Sequence, residues 1–465
     1  MRTANPAVDR WLAAPGESTS SPSRAVLTLR PANVIRAAVL LLFVGNLGLV
    51  PILSDKAMDA PAHVNDVLML WVLATGLLAG LSARTWRVDT PGLLAVAFAA
   101  VGGGSAVLAA SRYGLSAFEL AFSLAYLARW VAYFGIYLVV INTVRIADAW
   151  SIWRALETAV LVIAAFGIVQ SVLLPNFALT LYPSSVAFID YDPQGHRLVS
   201  TLLDPNLAGA LLAMVLLVQL ALLSTGAKVT LWKPLLLFAA LMLTLSRGAM
   251  LSFVAGAAVV LAVRGLSRRV VKLGALVAVL ALPFVPALVS LLTSFNRLMI
   301  SDPSAMGRVK DWLRGIAVFV DNPVLGIGFN TFGFVEEAYG YQRIAKSSFG
   351  SEGGLLFIAV MTGLVGLALY CGMFALILRR CRQLWRDQAV SAEHRGLAVG
   401  AAAATVTILV NSLFANSLIN PFITEPLWVL WALTFVIAAP PPAPRMVPRG
   451  PVVVSLATGV KVHPR

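Results

Sequence analysis

Apolar runs of roughly 17–25 residues recur from one end of the chain to the other, and each can cross ~30 Å of hydrocarbon as a helix. Nothing else in the sequence limits the fold as strongly. Residues of the AVILMFWYC set make up 59% of the 465 positions and only 12% are charged. A soluble domain sits nearer half apolar and a quarter charged, so these runs are membrane spans, and the length serves one polytopic bundle. The expected spans are 33–52, 65–82, 91–109, 117–141, 155–173, 201–223, 229–246, 249–263, 272–292, 354–378, 397–415 and 425–439. The expected fold is therefore an all-α polytopic membrane protein of about twelve transmembrane helices with one large, partly helical periplasmic loop.

The formal net charge of +14 first suggests nucleic acid as a partner. The placement of the charges argues against it, because Lys and Arg gather in short loops between spans, where they set orientation. With a cytoplasmic N-terminus, the inside loops carry Arg84, Arg87, Arg145, Lys228, Arg264, Arg268, Arg269 and the RRCRQLWR run, while the short outside loops hold only Lys56 and Arg112. Residues 1–32 then form a cytoplasmic tail, 33–440 the transmembrane domain, and 441–465 a cytoplasmic Pro-rich tail. Two long segments, 174–200 and 293–353, face outward, as does the Ser246-Arg247-Gly248 turn. No internal repeat is visible. Cys371 and Cys381 form no metal-ligand or disulfide pattern, and the four histidines are dispersed. No metal is expected, although Asp190, Asp192 and Asp204 leave a small opening for one.

Charges inside this apolar background are the chemical signal. Arg247 interrupts the run LMLTLSRGAMLSFV, where a guanidinium at hydrocarbon depth costs at least ~2.5 kcal/mol. Arg197 precedes Asp204-Pro205, a helix start with a capping carboxylate and proline in the first turn. The segment 293–353 adds Arg308, Lys310, Arg314, Arg343 and Lys346. Cations converging on one face with few acids suit a phosphate or diphosphate, which a guanidinium grips through two parallel bonds. Plainer roles stand beside this one. The cations of GRVKDWLRGIAVFV can meet lipid headgroups, and Arg197 can be an ordinary loop residue. Arg129, within the fourth run, either faces a polar cavity or reaches to an interface.

The order RLVSTLLDPNLAGALL, LTLSRGAML, GRVKDWLRGIAVFVDNPVLGIGFNTFGF and SEGGLLFIAVMTGLVGL resembles the O-antigen ligase and polymerase family over about 155–370. The matching positions are Arg197, Pro205 and Asn206, then Ser246, Arg247 and Gly248, then Gly307, Arg308, Trp312, Asn322, Pro323, Gly326 and Gly328. One position departs: where ligases of this family carry His-Asn, this chain has Glu352-Gly353, which favours a polymerase over a ligase.

The resemblance implies a glycosyltransferase of the bacterial inner membrane. It would polymerise undecaprenyl-diphosphate-linked repeat units into an exopolysaccharide or O-antigen, without any cofactor. Arg247 and Arg197, with Arg308, would stabilise the departing diphosphate. Glu352 would serve as base, with Glu336, Glu337 and His196 as other candidates, or else it merely caps a helix. His196, Asn206, Trp312 and Tyr339 would contact substrate, and Tyr341 could join them. Expected partners are the polyprenyl-diphosphate-linked glycan, membrane lipid, and flippase and chain-length regulator proteins, with no nucleic acid. The alternatives are a ligase moving finished glycan onto lipid A-core or protein, and a transporter of an anion or of the lipid-linked sugar.

Overall fold

A computed structural model describes residues 30–48, 50–55, 58–83, 86–181, 196–265, 268, 271–272, 303–341 and 353–437. The described chain is a helical bundle. The long helices are α1 (Pro31–Leu40), α2 (Val64–Ala83), α3 (Thr90–Tyr113), α4 (Ala117–Thr143), α5 (Ile146–Leu173), α7 (Pro205–Ser224), α8 (Trp232–Leu243) and α9 (Arg247–Arg264). They continue with α10 (Pro303–Asp321), α12 (Gly354–Arg386), α13 (Ala392–Asn411) and α14 (Pro421–Ile437). The short helices α6 (Phe177–Leu181) and α11 (Phe332–Val335) lie in connections. The fold is all-helical as expected apart from one short feature: β1 (Val50–Asp55) and β2 (Met58–Ala62) form an antiparallel hairpin between α1 and α2. Pro51, Pro61 and the Ser54-Asp55 end suit a short ribbon and not a continued helix.

Among the described residues, six helices are long and apolar enough to cross a membrane: α3, α4, α5, α7, α9 and α12. Four more among them are apolar but shorter, and the expected span 272–292 lies, from 273 on, outside the described residues. α8 is only 12 residues, about 18 Å at 1.5 Å per residue, so 229–246 is shorter than the sequence reading had it. The first span also differs. Its helix tightens to a 3-10 turn over Leu41–Gly48 and bends at Gly45.

Local signals account for most helix starts. Asp89 accepts from the Gly92 amide ahead of Pro91, and Ser116 and Glu119 close a capping box on α4. The expected cap on α7 is present, with the Asp204 carboxylate accepting from the amides of Asn206 and Leu207. α7 is the central helix, with nearly every residue buried. It packs against α9 and α13 through small residues: a Cβ placed on Gly209 would sit 2.5 Å from that of Ala249, and one on Gly400 would sit 2.7 Å from the Val218 Cα. Small side chains let backbones approach where lipid offers no hydrophobic drive to associate.

α12 is not the continuous span expected for 354–378. Gly363, at φ +65°, breaks it, and the freed backbone groups are taken up by the segment 322–328. Ile327 and Gly328 donate their amides to Val360 O and Met361 O, both at 2.9 Å, while the Leu364 amide donates to Pro323 O at 2.8 Å. Irregular backbone at this depth persists only where protein groups satisfy it. The Asn322-Pro323 and Gly326-x-Gly328 positions are thus part of the bundle itself.

Candidate functional site

The Arg197 segment and the Arg247 turn are zipped together at one end of the bundle. The Leu198 amide donates to Leu243 O at 2.9 Å, and Arg197 Nε donates to Thr244 O at 3.1 Å. Ser246 makes two bonds at once. Its hydroxyl accepts from the Ala249 amide as the cap of α9 and donates to Asn206 Oδ1 at 2.8 Å. The two motifs separated by 40 residues in sequence are one structure.

Backbone strain is concentrated here. Among the described residues, five that are not glycine have positive φ, and four of them flank these arginines: His196 (66°), Ser200 (52°), Leu203 (55°) and Leu245 (51°). A left-handed leucine costs roughly 1–2 kcal/mol, and such residues persist only where their surroundings over-determine them. Gln170 supplies that restraint. Its Oε1 accepts from the amides of Val199 and Ser200 at 3.0 and 3.1 Å, and its amide nitrogen donates to Arg197 O. Ser200 Oγ donates to Ile163 O.

Arg247 occupies the first position of α9, where the helix already presents positive potential. A guanidinium there gains nothing from the helix field. The same arrangement of amides and guanidinium is well suited to an anion. Arg197 and Arg247 are both half-buried, whereas His196 is exposed.

A chain of close contacts extends from Arg247 toward the other predicted residues. Next to it, Gly248 lies so near Phe414 that a Cβ would fall 2.7 Å from the Phe414 Cβ. From the same 412–420 turn, Ser412 O accepts the Gly354 amide at 2.6 Å. A Cβ on Gly353 would lie 2.9 Å from Trp312 Nε1. That indole nitrogen is buried without a hydrogen-bond partner among the described residues. Arg308 stands one turn before Trp312 on α10, so the two share a face. The starts of α9 and α12 and the middle of α10 therefore meet around one turn. Glu352, the expected base, immediately precedes Gly353 and lies outside the described residues, as do Arg343 and Lys346.

Tyr339 belongs to a neighbouring network centred on the buried Asn322. The Asn322 Nδ2 donates to Tyr339 Oη at 2.9 Å and to Val318 O at 3.0 Å. Its Oδ1 accepts from Arg112 Nη1 at 2.6 Å and from Tyr113 Oη at 3.0 Å. Burial, reinforced by the Tyr113 hydroxyl, raises the Tyr339 phenol above its ordinary value. Tyr339 stacks on Tyr341, over which the Arg314 guanidinium sits 5.1 Å from the ring centre. Sequence reasoning took Arg112 for a loop charge and passed over Tyr113. The Arg-Tyr pair at the end of an apolar run was the only signal available for them. Glu336 is buried in the turn after α11.

Residues 235–371 match the model of the O-antigen ligase family. The match covers the Arg247 turn, α10 and the broken start of α12, and leaves Arg197 and Asn206 upstream of it. No curated protein matches the chain.

Proposed function

We propose that this chain, with its O-antigen ligase segment, is a membrane glycosyltransferase that polymerises polyprenyl-diphosphate-linked oligosaccharide repeat units at the outer face of the bacterial inner membrane. The observation that carries this reading is the clamp between the Arg197 segment and the Arg247 turn, held by the Leu198–Leu243, Arg197–Thr244 and Asn206–Ser246 bonds. It fixes two arginine-bearing strands beside a helix N-terminus, as a site for a developing diphosphate charge requires.

In the proposed reaction an acceptor hydroxyl oxygen bonds to the anomeric carbon of the donor sugar. The bond from that carbon to the diphosphate oxygen breaks, and its electron pair leaves with the lipid diphosphate. Arg247 and Arg197, aided by Arg308, stabilise that charge. The hydroxyl proton passes to a base, for which Glu352 is the assignment. Asn206 acts through Ser246 to hold the turn, Trp312 and Tyr339 contact glycan, and the exposed His196 stands beside the diphosphate. In this reading the chain crosses the membrane about twelve times, both tails are cytoplasmic, and the segment 293–353 faces outward. Flippase and chain-length regulator proteins are its proposed partners.

The family's own description favours a second reading, ligation of finished glycan onto another acceptor. Purified protein given a lipid-linked repeat unit alone separates the two. A ladder of lengthening products supports polymerisation. Absence of a ladder, with transfer restored by lipid A-core, supports ligation, and movement of lipid-linked sugar across the bilayer without any new glycosidic bond identifies a transporter.

A further inference from the structure

A second concentration of buried polar groups lies where α2, α4 and α14 pack, outside the family-matched segment. Arg129, from the middle of α4, turns toward the start of α2. Its Nε donates to Asp66 Oδ1 at 2.9 Å, and its guanidinium also meets His63 Nδ1. Asp66 Oδ2 in turn accepts the His63 amide at 2.7 Å. Beside this pair stands Glu425, 2% exposed, within electrostatic reach of Asp66 and next to the Asn65 amide without meeting hydrogen-bond geometry.

The hydrogen-bond account of this cluster does not close. Glu425 Oε2, both polar atoms of the Asn65 side chain and the Tyr133 hydroxyl, which stands near Asp66, are buried without reaching hydrogen-bond geometry with any partner among the described residues. Asn65 and Tyr133 are each only 2% exposed. Each buried unsatisfied group costs ~1–3 kcal/mol, and an ionisable residue at membrane depth is a candidate functional group by default. If the cluster served only helix packing, apolar residues of the same volume would hold it as well or better.

The composition of the unsatisfied set identifies the chemistry that would complete it. One amide offers donors and an acceptor, one carboxylate oxygen accepts, and one phenol does either. Aromatic rings close the walls: Phe422 packs edge-on to His63 at 5.1 Å and Trp428 edge-on to Trp130 at 5.6 Å. An anion would face the Asp66 carboxylate beside a fully buried acid, and the Arg129 guanidinium is already engaged by Asp66. Vicinal hydroxyls satisfy the set without adding charge. The cluster is also not sealed, because Arg129 and Asp66 keep 20% and 22% of their side-chain surface accessible.

We propose that Asn65, Tyr133 and Glu425, braced by the Arg129–Asp66–His63 pair, form a binding site for an uncharged, hydroxyl-rich sugar unit of the acceptor glycan, an assignment that rests on the glycosyltransferase reading above. The cationic clamp then holds the donor's diphosphate and the acid-bearing cluster holds the acceptor.

The test uses the full chain in lipid nanodiscs and two probes: the repeat-unit oligosaccharide released from the cell's lipid-linked pool by mild acid, and sugar-free undecaprenyl diphosphate. Trp130 and Trp428 report occupancy by fluorescence. The oligosaccharide is expected to give a saturable change, with affinity at least tenfold weaker in Glu425→Gln and Asn65→Ala, and undecaprenyl diphosphate none through these rings. Tyr133→Phe removes one hydroxyl and preserves packing, so weaker binding in that variant with an unshifted thermal midpoint separates recognition from stability. In turnover assays the variants raise the KM for acceptor and leave that for donor unchanged.

Unchanged oligosaccharide affinity in all three variants overturns the proposal. So does a fluorescence response to the sugar-free diphosphate that the Glu425→Gln substitution removes. If the variants lose oligosaccharide binding but the wild-type chain forms no glycosidic bond, the transferase reading fails and the sugar site stands. If the wild-type chain polymerises and the variants bind as it does, the reverse holds.

Discussion

Ser246 illustrates how much one hydroxyl can do in this bundle. It caps α9 and ties that cap to Asn206 on α7, so Ser246→Ala removes both bonds while keeping the side chain small. Loss of an N-cap alone costs ~1 kcal/mol, so a lowered thermal midpoint is expected, together with slower glycan synthesis as the Arg247 turn loosens. Full activity with lowered stability would make the bond purely structural. Arg247 is a sharper case. Arg247→Ala is expected to lower turnover by roughly 10²–10³, the range for removing one preorganised stabiliser of transition-state charge. Arg247→Lys should recover only part of it, because an ammonium lacks the planar fork. Normal polymer length and rate from Arg247→Ala, with the protein inserted at wild-type level, would sink the diphosphate assignment.

At the scale of elements, the break in α12 carries the next prediction. A Cβ on Gly363 would collide with the Val324 carbonyl, and its φ of +65° disfavours any side chain. Gly363→Ala is therefore expected to unstitch the 322–328 segment from the helix, which limited proteolysis within that segment would detect. Protection equal to wild type would refute it. The amphipathic α10 offers a pH test. Burial raises the Asp311 carboxyl above its ordinary value, partly offset by Arg314. The folded state thus holds this proton to higher pH than the unfolded state does. The sign follows: as pH rises through the ordinary carboxylate range toward the raised folded value, α10 loses stability from this residue. Asp311→Asn should reduce that pH dependence, read by hydrogen exchange of the α10 amides. The apolar runs made these elements legible, but not their interruptions. A glycine inside a run looks the same whether it lets two helices touch, as Gly209 does, or breaks one, as Gly363 does.

For the whole molecule, the orientation derived from Lys and Arg placement predicts opposite accessibility for two exposed positions. In a chain lacking Cys371 and Cys381, a cysteine replacing Ala338 should react with a membrane-impermeant maleimide in intact cells, and one replacing Gln388 only after permeabilisation. The reverse pattern would invert the topology. Sequence alone determined that the chain is a helical membrane protein and where most helices begin. These follow from transfer free energies and cap chemistry, which are local. It also ordered the motifs of the proposed cationic site, although Arg197 and Arg247 are 50 positions apart. Only the tertiary structure decided that Asn206 bonds Ser246, that Asn322 gathers Arg112, Tyr113 and Tyr339, and that Arg129 pairs with Asp66 beside Glu425. Those partners come from different helices, and which helices meet is settled by packing small residues across α7 and by pairing buried polar groups, neither of which leaves a periodic trace along the chain.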